Sequence, residues 1–274
     1  MPVPRAARRP WPGAVAVLLL CGAAFSGHAA AEACGKLVAS GNPEYPPYLW
    51  RDPGDDSRLV GANAELMQWL AQEVGVPVEV QYIGPWGRVQ EEVRLGHVDL
   101  IAGAFFTLPR TEYMDYFHPA FQETRSAVWT RQASTLRYNR WPDLVGLQGV
   151  TVINNSFGEE FDRYAKDKLR LNQVASLDQA IQIVQTGRAD YLIYEDSPGQ
   201  AFLARRNIAD VKMLATPVAH ENLYLTLSHK SACNTPEMRG RIARALYKLS
   251  RDNKTMAGFI ERAIQLWRRQ TTRP

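Results

Sequence analysis

Gly96-His-Val-Asp-Leu-Ile101 and Gly187-Arg-Ala-Asp-Tyr-Leu-Ile193 are the two stretches on which the reading of the fold turns. Each closes an amphipathic segment, Val89-Gln-Glu-Glu-Val-Arg-Leu95 in one case and Ala180-Ile-Gln-Ile-Val-Gln-Thr186 in the other, and each leads into an apolar run. Glycine can take the left-handed conformation that stops a helix. The aspartate three residues on can accept backbone amides in the turn before a strand. One such helix-Gly-x-x-Asp-strand unit is common in any α/β chain. Two of them, with their aspartates 91 residues apart, imply two halves of similar construction.

The surrounding periodicity supplies the neighbouring elements. Lys36 to Ser40 is apolar enough for a short strand and is followed by a turn-rich stretch, Gly41 to Tyr48. Asp52-Pro-Gly-Asp-Asp56 reads as a second turn. Leu66, Met67, Leu70 and Val74 recur at helical spacing from Ala62, and Gly75 stops that helix. Val76, Val78, Val80 and Tyr82 alternate as a strand does, Trp86 to Leu95 reads as a short helix, and Val98 to Ala102 as a buried strand. In the second half a strand is expected over Val150 to Asn154 and a helix from about Glu159. Val218 to Ser228 alternates in part and reads as a return strand. The closing helices are expected over Pro236 to Leu249 and Asn253 to Trp267. Strands alternating with helices imply mainly parallel sheets.

The first thirty residues read as an export signal. Arg5, Arg8 and Arg9 precede the apolar run Ala14 to Ala24, small residues follow, and no acidic residue occurs before Glu32. That run is about half the roughly 20 residues a membrane-spanning helix needs. Cleavage after Ala31 or Ala33 would fit, and removal of residues 1–31 would lower the net charge from +4 to +1. A nearly neutral chain without Lys/Arg clusters offers no electrostatic footprint for nucleic acid. Cys21 would leave with the signal. Cys34 and Cys233 then remain, an even pair that reads as one disulfide in an oxidising compartment, the alternative being two buried thiols.

The order of these pieces resembles the family 3 periplasmic solute-binding proteins, the capturing component of polar amino-acid ABC importers. The resemblance runs over nearly all of the mature chain. It is carried by Tyr45-Pro-Pro-Tyr48, Gly61 with Glu65-Leu66, Trp86, Val93-x-x-Gly96-x-x-Asp99, Thr107-Leu-Pro-Arg110, Asp115-Tyr-Phe117-x-Pro119, Asp143-Leu-x-Gly146 and Gly187-Arg-x-Asp190. It implies a periplasmic-binding-protein-like α/β fold: two α/β lobes with mainly parallel sheets, joined by a hinge of two chain crossings. The expected division is a signal peptide over 1–31, one lobe from 34–122 with 219–274, and the other from 123–218. It further implies a monomeric periplasmic protein that presents a small carboxylate-bearing ligand to the membrane permease of an ABC importer, or to a sensor. Neither cofactor nor metal is expected.

The resemblance also assigns roles. Thr107 and Arg110 match the element that grips an amino acid's carboxylate, which suits a planar guanidinium making two parallel bonds. An acidic residue after the strand Tyr191 to Tyr194 holds the ammonium in the family, and Glu195 matches that position better than Asp196. Asn155, Ser156 and Phe157 stand where a helix start presents free amides to an anion; a plain cap made by Asn155 or Ser156 is the alternative. Tyr45, Tyr48, Trp86, Phe105 and Phe106 are candidate walls, and a Tyr-Pro-Pro loop belongs at an edge or mouth. One departure concerns Ala102-Gly-Ala-Phe-Phe106, where small hydroxyl residues usually help to bind the ligand backbone. It points toward an aromatic or unusual amino acid, or a different small acid. The scaffold also hosts a periplasmic dehydratase of cyclohexadienyl acids, so an enzyme with Glu195 as its acid is the alternative reading. No Ser/His/Asp order, metal-ligand cluster or phosphate loop is visible, and the five histidines (28, 97, 118, 220, 229) are scattered.

Overall fold

A computed structural model describes residues 1–2, 34–252 and 254–271. The export signal, Cys21 and Asn253 therefore lie outside the described residues. The chain divides into Met1–Glu32 and Ala33–Pro274, and the architecture below belongs to the second unit.

The elements in chain order are strands β1 (Leu37–Ser40), β2 (Glu44–Tyr45), β3 (Leu49–Asp52) and β4 (Asp55–Val60), helix α1 (Ala62–Val74), β5 (Val78–Val80), α2 (Trp86–Leu95) and β6 (Leu100–Phe105). A 3-10 turn over Leu108–Glu112 leads into β7 (Met114–Arg131). Then come β8 (Gln148–Val152), α3 (Glu159–Lys168), β9 (Arg170–Val174), α4 (Leu177–Gln185), β10 (Tyr191–Glu195), α5 (Asp196–Arg205) and β11 (Val211–Ser228). Helices α6 (Pro236–Ser250) and α7 (Thr255–Thr271) close the chain.

Among the described residues eight strands form one sheet in the order β5-β1-β6-β11-β7-β10-β8-β9. The outer pairs are parallel: β5 with β1, β1 with β6, β10 with β8, and β8 with β9. The pairs made by β7 and β11 are antiparallel. The return strand expected over Val218 to Ser228 is longer than that alternation shows. β11 starts at Val211 and runs beside β7 from Val211 opposite Arg131 to Ser228 opposite Met114. These two 18-residue strands make both crossings, so the sheets of the two halves are continuous rather than separate. Their register slips between Met213 and Ala219 around Pro217, and again between Leu223 and Leu225. Proline has no amide to give the ladder, and such bulges are where a strand can bend.

The repeated Gly-x-x-Asp has one physical job in both halves. Gly96 and Gly187 take φ of 87° and 74°, which a side chain would resist. Asp99 Oδ2 then accepts the Val38 amide at 2.7 Å, and Asp190 Oδ2 accepts the Gln148 amide at 2.8 Å. Each aspartate thus pins the parallel strand beside its own, β1 in one half and β8 in the other. Both faces of each half-sheet are covered. Tyr191 and Ile193 face Phe157 and Phe161, whereas Leu192 and Tyr194 face Ile181, Val184 and Leu203, as strand alternation requires. In the first half, α1, α6 and α7 pack on one face, and α2 with Val89 and Val93 on the other.

Both ends of this unit share the first core, where Leu37 and Ala39 pack in one cluster with Phe259, Ala263 and Trp267. A Cys34–Cys233 disulfide closes the same region, with Cα atoms 5.0 Å apart. Within the turn expected over Asp52 to Asp56, Pro53 and Gly54 make the turn itself, and they join two strands, β3 and β4, that the sequence pattern does not show. The flanks alternate poorly because Arg51 is exposed and Asp55, Asp56, Ser57 and Arg58 are exposed in succession.

Candidate functional site

The carboxyl ends of β6, β8 and β10 come together, as open α/β sheets arrange their ligand sites. Between them is a cavity of about 30 Å³ lined by Asn42, Tyr45, Trp86, Gly103, Ala104, Phe105, Arg110, Asn155, Ser156, Glu195 and Leu223. It has room for about a water molecule, whereas small-ligand pockets hold about 300–1,000 Å³. An amino acid enters only if the halves part.

Arg110 stands in the 3-10 turn after β6, 6 % exposed. Its Nε donates to Gln90 Oε1 at 3.2 Å, Nη1 to the Phe105 carbonyl at 3.0 Å and Nη2 to the Asn154 carbonyl at 2.9 Å. Trp86 lies under the guanidinium, 5.4 Å from ring centroid to Cζ. The last of those hydrogen bonds crosses from the first half to the second. Trp86 Nε1 at 3.2 Å and Gln90 Nε2 at 3.3 Å donate to the same Asn154 carbonyl. Asn154 has φ of 60°, a left-handed conformation that asparagine tolerates. One carbonyl therefore gathers three donors from the opposite half and holds the cleft shut. Neither Asn154 nor Gln90 was singled out from the sequence, because a backbone acceptor and a mid-helix glutamine carry no local signature.

Glu195 ends β10 on the opposite wall, 3 % exposed, and its Oε2 has no hydrogen-bond partner. Burial raises its pKa to about 8, against the lowering influence of its own backbone amide and of Arg110. Neighbouring Asp196 differs in kind. Arg125 holds it with two contacts, Nη2 at 2.6 Å and Nε at 2.8 Å, and its Oδ1 accepts the Ser197 amide at the start of α5. Of the two acids, Glu195 alone faces the cavity without a cation. Tyr45 Oη and Asn155 Nδ2 are likewise buried and unpartnered. Burial first, and then the nearby Glu195, push the Tyr45 hydroxyl well above its ordinary pKa.

The other residues singled out from the sequence divide between wall, rim and core. Tyr48 stacks behind Tyr45 at 5.2 Å and shares a buried cluster with Phe105 and Leu223. Thr107 does not line the inner cavity. It lines a neighbouring cleft of about 590 Å³ that also touches Arg110, Asn155 and Ser156. Phe106 is turned outward against Tyr116, 5.0 Å away and 38 % exposed. Phe157 packs against Phe161 in the core. The anion seat expected at the start of α3 is partly taken, because the helix supplies its own acceptor for the Phe157 amide and the Ser156 hydroxyl. Asp162 takes the Phe157 amide at 2.8 Å and the Ser156 hydroxyl, and Ser156 Oγ takes the Gly158 amide. An aspartate one turn inside the helix had already satisfied those donors.

A hinged α/β molecule with a buried arginine on one wall of its cleft and a buried carboxyl on the other defines a ligand-capturing class. The comparisons agree at the level of family. Residues 37–270 match the model for bacterial extracellular solute-binding proteins, family 3, and the chain belongs to that family. It is 24 % identical over 186 residues to the arginine-binding protein ArgT of Corynebacterium glutamicum, an alignment covering 66 % of this chain and 60 % of ArgT. It is 25 % identical over 148 residues to the membrane-bound lytic murein transglycosylase F of Aeromonas hydrophila, covering 52 % of this chain and 29 % of that one. The chain thus spans less than two thirds of the length of either curated relative. Its fold is shared with the amino-acid ABC transporter substrate-binding protein AbpA from Streptococcus pneumoniae, solved with L-arginine. There the TM-score is 0.69 at 20 % identity, over 85 % of this chain and 96 % of AbpA.

Proposed function

We propose that this protein is exported to the periplasm, captures an amino acid or a related small carboxylate there, and delivers it to the permease of an ABC importer. One observation carries the reading: Arg110 and Glu195 are buried in the same cavity, one from each half. A zwitterion offers a carboxylate to the first and an ammonium to the second, and each buried charge would gain its partner. Tyr45, Trp86, Phe105 and Asn155 complete the ligand's surroundings, and Thr107 borders the adjoining cleft. Tyr48 backs the wall, and Ser156 reaches the ligand by its backbone, since Asp162 holds its hydroxyl. The two lobes are 34–122 with 219–274 and 123–218, and they part by bending β7 and β11 at the register slips. Residues 1–31 act as the signal.

The reading is of a binder, working without cofactor or metal. Glu195 also supplies the one observation that favours an enzyme, since a carboxyl with a pKa of about 8 can donate a proton near neutrality. A single assay addresses both. The purified chain is warmed with each standard amino acid and with small organic acids, prephenate among them, and the mixtures are then weighed by mass spectrometry. An amino acid should raise Tm, because a ligand that binds only the native state stabilises it by about 2.7 kcal/mol at a hundred times Kd. The acids should be recovered unchanged. Conversion of any acid, or no shift with any amino acid, would overturn the proposal.

A further inference from the structure

The first amides of a helix have no acceptor within it. At the start of α4, Ser176 Oγ takes the Gln179 amide at 3.2 Å. The acceptor for the Leu177 amide comes instead from the first half of the molecule. It is Glu44 Oε2, on β2, 2.7 Å away and separated by 133 residues of sequence. The same carboxylate is bonded by the Asp178 amide, and it stands at the positive end of the helix. Asp178 would repel it, but that charge is paired with Arg206 at 3.1 Å.

The backbone of Glu44 is also held from both halves. Its amide donates to Asn42 Oδ1 at 3.0 Å, and its carbonyl accepts Tyr194 Oη of β10 at 2.8 Å. Asn42 Nδ2 donates to that same hydroxyl at 3.2 Å. Trp267 of α7 makes a further crossing beside these. Its Nε1 donates to the Ala201 carbonyl of α5 at 3.1 Å, and Arg205 lies over its ring at 4.6 Å. Neither Glu44 nor Trp267 lines the inner cavity, whereas Asn42 and Tyr45, on either side of Glu44, both do.

We propose that Glu44 is a positioning residue that locks the two halves together by capping α4 from across the cleft. It thereby seats Asn42 and Tyr45 in the cavity wall and sets how long a ligand stays, whatever that ligand's side chain. This role rests on the proposed function, in which the halves part to admit a ligand. Every partner in the clasp is a protein group, so its contribution is the same for any ligand. Parting the halves hands the carboxylate and its amides to water, and a charged acceptor loses more by that exchange than a neutral one. Opening is slowed, while the encounter of ligand with the open form does not involve Glu44.

The test uses calorimetry to find which standard amino acids bind, and stopped-flow tryptophan fluorescence to measure both rates for each that does. Trp86, in the cavity wall, is the reporter. Glu44→Ala should raise the dissociation rate about tenfold for every bound amino acid and change the association rate by less than about twofold. Glu44→Gln keeps an acceptor for the Leu177 amide without the charge, and should raise dissociation only about threefold. It retains the side-chain shape, so it carries the test even where the alanine variant fails to fold. Dissociation rates that stay native in both variants overturn the inference while the proposed function stands. A rise confined to one amino acid among several overturns it too, because Glu44 would then act on the ligand rather than on the halves. Failure of every amino acid to bind the native chain overturns the proposed function and this role with it.

Discussion

Arg110→Ala should weaken amino-acid binding by a hundredfold or more. The ligand carboxylate would then enter a closed cavity with no cation to meet it, and truncating one partner of a buried charged pair costs about 2–5 kcal/mol. At about 1.4 kcal/mol per tenfold, the middle of that range exceeds two orders of magnitude. Arg110→Lys keeps the charge but not the fork, and should recover only part of the loss. Because Arg110 also holds the Asn154 carbonyl across the cleft, the unliganded variants need a thermal-melt control. Loss of binding with a nearly native melt assigns the effect to the ligand. Binding that survives Arg110→Ala at full strength removes the carboxylate grip from the account.

The second large effect concerns stability. Cys34 and Cys233 are 199 residues apart in sequence, and their bond fixes the start of β1 to the segment before α6. Opening a bridge across so long a loop returns chain entropy to the unfolded state, for a typical loss of about 2–4 kcal/mol. For a chain of this size that is about 4–16 °C in Tm. The Cys34→Ala/Cys233→Ala double variant, or the native chain under dithiothreitol, should melt lower by that amount and still bind ligand, because the bridge is not among the cavity residues. An unchanged melt would show that the shared core of β1, α6 and α7 holds the two ends without it.

What could be read from the sequence was what local chemistry determines. The Gly-x-x-Asp pairs could be read because a glycine stop and an amide-accepting aspartate act within a few residues of each other, and the structure gives them the same task in both halves. Helices α1 and α2 begin and end where spacing and glycine place them. The long crossing strands could not be read in full. β7 and β11 pass from one half to the other, so their burial pattern changes face along their length, and prolines interrupt the alternation. β4 was hidden because its first four residues, Asp55 to Arg58, are exposed in succession and so show no alternation.

The site was legible where a side chain does the work and illegible where the backbone does. Arg110 and Glu195 carry charge at strand ends, and both line the cavity. The Asn154 carbonyl, which gathers Arg110, Trp86 and Gln90 across the cleft, leaves no trace in residue type. Phe106 and Phe157 were read as wall or anion seat, because strand phase at the end of β6 and an aspartate one turn into α3 are details that tertiary packing decides.

A crystal structure of the chain grown with the amino acid that most raises its Tm tests the central claim most directly. The account predicts that ligand between the two halves, with its carboxylate on Arg110 and its ammonium within hydrogen-bond reach of Glu195. A ligand seated elsewhere, or one in the cleft that touches neither Arg110 nor Glu195, would contradict it.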